Sequence, residues 1–293
     1  MYKAIWKDGE VKGAKERTVA VKKLHALPAG AEPIREFCKE VVLMQRMDHR
    51  NLLPLLGVWM PPDGSFAMVP RTSAQFGAMF AQFFDGFHAL RQVTELCPRG
   101  SLFDYLHAKK GGRKLPPALT MRLLLDTAAG VRHLHEATPR CIHRDLKCQN
   151  LLLGSGMELK VADFGLSREC FATAAMTRVG SVQWAAPEVL LGKKYSHKCD
   201  LWALGVVCWE ILTARVPFEG MGPGAIATKV ACQGMRLPVP TGAPMPLLKL
   251  MAKCWVDKPT ERPEMKEVMA DLQAELDALP TKDQAAVGYV KHF

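Results

Sequence analysis

The stretch His143-Arg144-Asp145-Leu146-Lys147-Cys148-Gln149-Asn150, followed by Leu151-Leu152-Leu153 and then Asp163-Phe164-Gly165, decides how this chain is read. Between the two motifs, Gly154-Ser155-Gly156 is a polar turn and Glu158-Leu159-Lys160-Val161-Ala162 alternates after it. The pattern predicts loop, short strand, turn and short strand, with acidic groups on the loops at both ends. Such a hairpin draws Asp145, Asn150 and Asp163 together, with Lys147 as one compact positive charge among them. Hard oxygen donors beside a cation suit a divalent metal ion and a phosphate chain. Either motif alone would be a common turn, since Gly tolerates positive φ and Asp bonds nearby backbone. Their joint order and spacing, with Lys147 and Asn150 in place, carries the weight.

Working outward, the 293 residues, 48% hydrophobic, suit one two-lobed domain rather than two unrelated ones. Residues 119–135 are apolar at helical spacing and predict a long core helix, with His133 and His135 late in it at surface or capping positions. Residues 201–212 form the longest apolar run. Too short to span a bilayer and interrupted by Glu210, they predict a buried helix. Nearer the start, Thr18-Val19-Ala20-Val21-Lys22-Lys23-Leu24 alternates like a half-buried strand, and 33–47 carries Ile34, Phe37, Val41, Met44 and Met47 in a helical rhythm. Nine cysteines stand singly, without metal-ligand pairing, and the opening Met1-Tyr2-Lys3-Ala4-Ile5-Trp6-Lys7 is not a signal peptide. The expectation is a reducing compartment, cytoplasmic or nuclear. The net charge of +10 is dispersed, with no aromatic-basic module, so a groove for phosphates or acidic peptides is expected rather than a nucleic-acid partner.

These motifs resemble the catalytic loop and metal-binding turn of the eukaryotic protein kinases. The resemblance implies an α+β, two-lobed fold: a small antiparallel β-sheet N-lobe with one main helix (1–97), a larger, mainly helical C-lobe (98–276) and a tail (277–293). It implies ATP with Mg²⁺ or Mn²⁺ as cofactors and protein substrates bearing Ser or Thr. Asp145 would orient the substrate hydroxyl and accept its proton, Lys147 would neutralise the moving phosphoryl group, and Asn150 and Asp163 would hold the metal. Val19-Ala20-Val21-Lys22 resembles the strand whose lysine grips the nucleotide phosphates, with Glu40 as its partner. By the same likeness Ala20, the gatekeeper Thr94, Glu95, Cys97 and Leu152 would surround the adenine. His143, Arg144, Phe164, Gly165, Glu188, Asp200 and Arg262 would hold the geometry. Thr173, Thr177 and Ser181 belong to an activation segment, where a phosphate could dock on Arg144 after action by an upstream kinase.

The type of kinase follows from the same residues. Asp145-Leu146-Lys147 resembles the serine/threonine pattern. Gln183-Trp184 before Ala185-Ala186-Pro187-Glu188, with Cys254-Trp255 and Arg262-Pro263, resembles the tyrosine-kinase-like group, which includes Raf-like and mixed-lineage kinases. Two departures stand out. The Gly-rich first hairpin is absent, since Met1-Tyr2-Lys3-Ala4 resembles the segment just after it and neither Gly9 nor Gly13 rebuilds it. The expectation is an N-terminally incomplete copy of the domain, with a naturally loop-less relative as the alternative. Secondly, Ser65-Phe66-Ala67-Met68-Val69 resembles the start of the fifth strand and Thr94-Glu95 its end, so 70–93 is expected to be an insertion, Phe-rich and helical over 74–90. These departures support an alternative reading, a catalytically weak pseudokinase-like scaffold or a truncated kinase.

Overall fold

Val19, Ala20 and Val21 are consecutive and all buried, which in a strand, whose side chains alternate between faces, means that both faces are covered here. That strand, β2 (Glu16–Lys23), lies between β1 (Tyr2–Lys7) and β5 (Arg91–Glu95), antiparallel to both. The structure is a computed structural model that describes residues 2–7, 16–23, 41, 44–59, 66–67, 91–163, 182–280 and 282–283. The chain divides into two units, Met1–Pro98 and Arg99–Phe293.

In the first unit, β3 (Leu55–Trp59) and β4 (Phe66–Ala67) complete a five-stranded sheet in the order β1-β2-β5-β3-β4. Val19, Val21 and Val93 form its core on one face, with Ala4 and Leu56 packed against them. Ala20 pairs with Thr94, so these two occupy the other face, which Lys22 shares by the two-residue period of the strand. Residue 41 and residues 44–46 are helical, and Val41 and Met44 are buried as the apolar spacing predicts.

The sequence predicts that 65–69 opens the fifth strand and that residues up to 93 are inserted. Instead Phe66–Ala67 pairs with one edge of β3, while Arg91–Glu95 pairs with the other. Gln92 and Val93 are 3% exposed and belong to the ladder against β2. The burial of Val93 against Val19 and Val21 explains the choice, because shifting the strand by one residue would turn that face to the opposite side. The predicted helix over 74–90 lies outside the described residues.

The second unit is mainly helical. Ser101 caps α1 (Leu102–His107), its Oγ accepting from the Asp104 N–H at 3.0 Å. The 20-residue α2 (Pro117–Glu136) starts with Pro at its first position, where a missing N–H costs nothing. Two short strands, β6 (Leu151–Leu153) and β7 (Leu159–Val161), form an antiparallel ribbon. A short helix α3 (Pro187–Leu190) precedes α4 (Lys198–Thr213), whose residues are buried from Lys198 to Ile211. A helix buried all round is the hub of its domain. Three helices follow it, α5 (Pro223–Cys232), α6 (Met245–Cys254) and α7 (Met265–Asp277), the last held at its start by a reciprocal Glu264–Glu267 capping box. Helix α2 packs on α4, α7 and β7, and α6 packs on α4. A buried, bidentate ion pair ties the lobe together, with Arg262 Nη1 and Nη2 donating to Glu188 at 2.7 and 2.8 Å. Among the described residues all cysteines are free thiols, and no helix is long and apolar enough to cross a membrane.

Candidate active site

The ribbon of β6 and β7 is the frame of the site. Leu151 pairs with Val161, and the Ala162 N–H donates to the Asn150 carbonyl at 2.8 Å, so Asn150 and Asp163 emerge side by side at one end. A 3₁₀ turn, Cys148–Asn150, leads into β6. From that turn Asn150 Nδ2 reaches back to the Asp145 carbonyl at 2.8 Å and to Asp145 Oδ2 at 3.0 Å. Lys147 Nζ lies 3.0 Å from Asp145 Oδ1 and 2.7 Å from Oδ2. The structure thus brings Asp145, Lys147 and Asn150 into one hydrogen-bonded cluster, with Asp163 beside Asn150 and exposed. Both Asn150 side-chain bonds use its amide nitrogen, which leaves the amide oxygen as an acceptor. Arg144 and Asp163 adopt positive φ, 69° and 60°. Non-glycine residues hold such backbone only where their surroundings over-determine it, a common property of functional loops.

The surroundings are supplied by α4. Buried Asp200 accepts the His143 N–H on Oδ2 and the Arg144 N–H on Oδ1, both at 2.9 Å. His135, at the end of α2, donates from Nε2 to Asp200 Oδ2 at 2.8 Å. Burial alone would raise the Asp200 carboxyl; the hydrogen bond and charge of His135, the charge of His143 and the Arg144 N–H outweigh it and hold it below its ordinary value. His143 is fully buried, its Nε2 3.0 Å from the Ala162 carbonyl, which ties the loop to the far side of the ribbon. Leu152 forms a bridge to Ser101; beside it the Leu153 N–H donates to the Gly100 carbonyl at 2.9 Å and the Arg99 N–H to the Leu153 carbonyl at 3.2 Å.

The same helix carries a second buried carboxyl. Glu210 accepts the Trp184 Nε1–H at 3.1 Å and lies beside Cys148 of the 3₁₀ turn. Burial raises it to about 7, against the smaller downward pulls of Cys148 and Trp184.

Two of these residues were not legible from periodicity. His135 is expected at the surface but is 5% exposed and bound to Asp200, because its turn of α2 faces α4 rather than solvent. Glu210 reads only as an interruption of an apolar run, and nothing local in the sequence signals its link to Cys148 and Trp184. Of the other predicted residues, Ala20 and Thr94 are buried partners across β2 and β5, Lys22 and Glu95 are half-buried in the same sheet, and Cys97 is buried just after it. Glu40, Phe164, Gly165, Thr173, Thr177 and Ser181 lie outside the described residues.

Comparison with known proteins gives a consistent outcome. Residues 1–272 match the family model for protein tyrosine and serine/threonine kinases. A probable serine/threonine-protein kinase of Dictyostelium discoideum, drkA, is 33% identical over 94% of this chain and 37% of its own length. The serine/threonine-protein kinase STY46 of Arabidopsis thaliana is 34% identical over 87% of this chain and 40% of its own. The chain therefore spans well under half the length of these relatives.

Proposed function

Because the chain belongs to the protein tyrosine and serine/threonine kinase family, as a kinase domain of the serine/threonine type, we propose that it transfers the γ-phosphate of ATP to Ser and Thr hydroxyls of protein substrates in signal transduction, as a member of the tyrosine-kinase-like group. The single observation that carries this reading is the Asp145–Lys147–Asn150 cluster held over Asp200. In the reaction the substrate oxygen forms a bond to the γ-phosphorus, the bond from that phosphorus to the bridging oxygen breaks, and ADP leaves. Asp145 orients the attacking hydroxyl and takes up its proton. Lys147, already fixed against Asp145, sets a positive charge beside the oxygens of the moving group. Asn150, through its amide oxygen, and Asp163 would hold Mg²⁺ or Mn²⁺, which when bound neutralises charge on the phosphate oxygens. The donor chemistry fits: hard oxygen ligands from one amide and one carboxylate, with substrate phosphates making up the rest, are the usual protein share for Mg²⁺.

Lys22 with Glu40 would grip the α and β phosphates, and Ala20, Thr94, Glu95, Cys97 and Leu152 would frame the adenine. Phosphate on Thr173 or Thr177 would raise activity through Arg144. The reading is tested by incubating the chain with γ-labelled Mg·ATP and a generic basic protein, then hydrolysing the product to its phosphoamino acids. Label in phosphoserine and phosphothreonine is expected. Label confined to phosphotyrosine, or no label, would contradict it.

A further inference from the structure

Between α1 and α2 runs Ala108-Lys109-Lys110-Gly111-Gly112-Arg113-Lys114, the densest cluster of positive charge in the described residues of the second unit. Lys109, Lys110 and Lys114 are exposed, and no carboxylate among the described residues pairs with any of them. A solvated lysine loop is ordinarily mobile, but this one is pinned. The Gly112 N–H donates to the Lys109 carbonyl at 2.9 Å, and the Arg113 N–H donates back to Leu106 at 2.7 Å. The Arg113 guanidinium lies over the Tyr105 ring, 4.3 Å from its centroid. Gly111 and Gly112 have φ of 85° and 78°, and a Cβ on Gly112 would stand 2.6 Å from Ala214 Cβ and 2.9 Å from the Ala214 carbonyl oxygen. Only glycine fits there, so the turn is wedged against the end of α4.

The wedge also places the loop relative to the site. Ala214 hydrogen-bonds to Glu210 one turn back, and Glu210 lies beside Cys148. Independently, α1 packs on the 3₁₀ turn Cys148–Asn150 and on β6. Both routes tie the lysine loop to the segment that carries Lys147 and Asn150, the second of them through α1, which is about 9 Å long. An extended peptide covers the length of α1 in about three residues and passes the lysines within a few more.

We propose that Lys109, Lys110 and Lys114 are specificity-determining residues that select protein substrates carrying Asp or Glu about three to five positions from the phosphoacceptor. This rests on the kinase reading above and adds the substrate class. Exposed charges of this kind steer and retain an acidic segment without touching the chemistry, so their effect falls on KM and is weakened by salt.

The test uses the whole chain and a set of serine peptides of equal length, with Glu at three to five positions on either side of the serine, or Gln in their place. It compares the unaltered chain with the triple variant Lys109→Glu/Lys110→Glu/Lys114→Glu. The expected result is a KM on the order of tenfold lower for an acidic peptide than for its Gln counterpart. The triple variant should lose that advantage while turning over the Gln peptide at an unchanged kcat, and the advantage should shrink as salt is raised. Equal KM values for the two peptides, or an advantage that survives in the triple variant, would overturn the proposal while leaving the kinase reading intact. Should no peptide be phosphorylated, fluorescence anisotropy of a labelled acidic peptide decides. Tighter binding than the Gln peptide, lost in the triple variant, upholds the surface and rejects only the kinase reading; equal binding rejects the surface as well.

Discussion

Two carboxyls on one helix, both sealed from water, behave in opposite ways. Asp200 at the start of α4 is 1% exposed and Glu210 near its end is 0% exposed, and both abut the loop that carries Asp145. Asp200 receives two backbone N–H groups and a histidine, and stays ionised below its usual range. Glu210 receives one indole N–H and a thiol, and titrates near 7. Burial is the same; the number and strength of donors differ. A buried charge is tolerated where hydrogen bonds replace its lost hydration, and is otherwise neutralised by a proton. The donors sit where the loop must be rigid, at His143 and Arg144, and are fewer at the back of the 3₁₀ turn.

The comparison breaks most directly at Asp200. Asp200→Ala strips the acceptor from two buried N–H groups and from His135, and should cost about 3–5 kcal/mol of stability by the general scale for one partner lost from a buried charged network. Urea unfolding at pH 7 measures this, and a cost near zero would mean that the carboxylate does not organise the loop. Asp200 also predicts a pH dependence. Its carboxyl is lowered on folding, so the stability it contributes is present above the unfolded value of 3.8 and lost as pH falls through the folded one.

Glu210 has the opposite sign. Its folded value of about 7 exceeds the ordinary 4.5, so the folded state holds a proton that the unfolded chain releases. Stability from this group is fully present below 4.5 and lost as pH rises through 7. Between pH 5 and pH 8 the loss should be on the order of 2–3 kcal/mol. Glu210→Gln should remove that slope, which urea midpoints at the two pH values would show. A slope unchanged by the substitution would place the titration elsewhere. The smallest effect is expected from an exposed pair. Lys253 and Asp271 are each 54% exposed, and Lys253→Ala should change stability by no more than about 0.5 kcal/mol in thermal unfolding.

The contrast also marks what a sequence discloses. Apolar spacing announces α2 because one-sided burial leaves a periodic trace, an apolar run announces α4 because it is buried all round, and Ser101 announces the start of α1 because its cap is local. The Asp145, Asn150 and Asp163 constellation is legible for a similar reason, since one short ribbon carries all three. His135 is not, because its partner lies 65 residues away and nothing local distinguishes it from half-buried His133. Glu210 is hidden for the same reason. The separation of β4 from β5 is not legible either, because a two-residue strand leaves no pattern of its own and only pairing decides which edge of β3 each takes.

The central claim is that the loop held by Asp200 presents Asp145 for phosphoryl transfer. Asp145→Asn keeps the side chain's size and replaces the proton-accepting carboxylate. Its transfer of labelled γ-phosphate from Mg·ATP, set beside that of the unaltered chain under equal conditions, is the most direct measurement. The account predicts transfer by the unaltered chain and a loss of about 10²–10⁴-fold in the variant, with the melting temperature little changed. Equal transfer by the two proteins, or none by the unaltered chain, would contradict it.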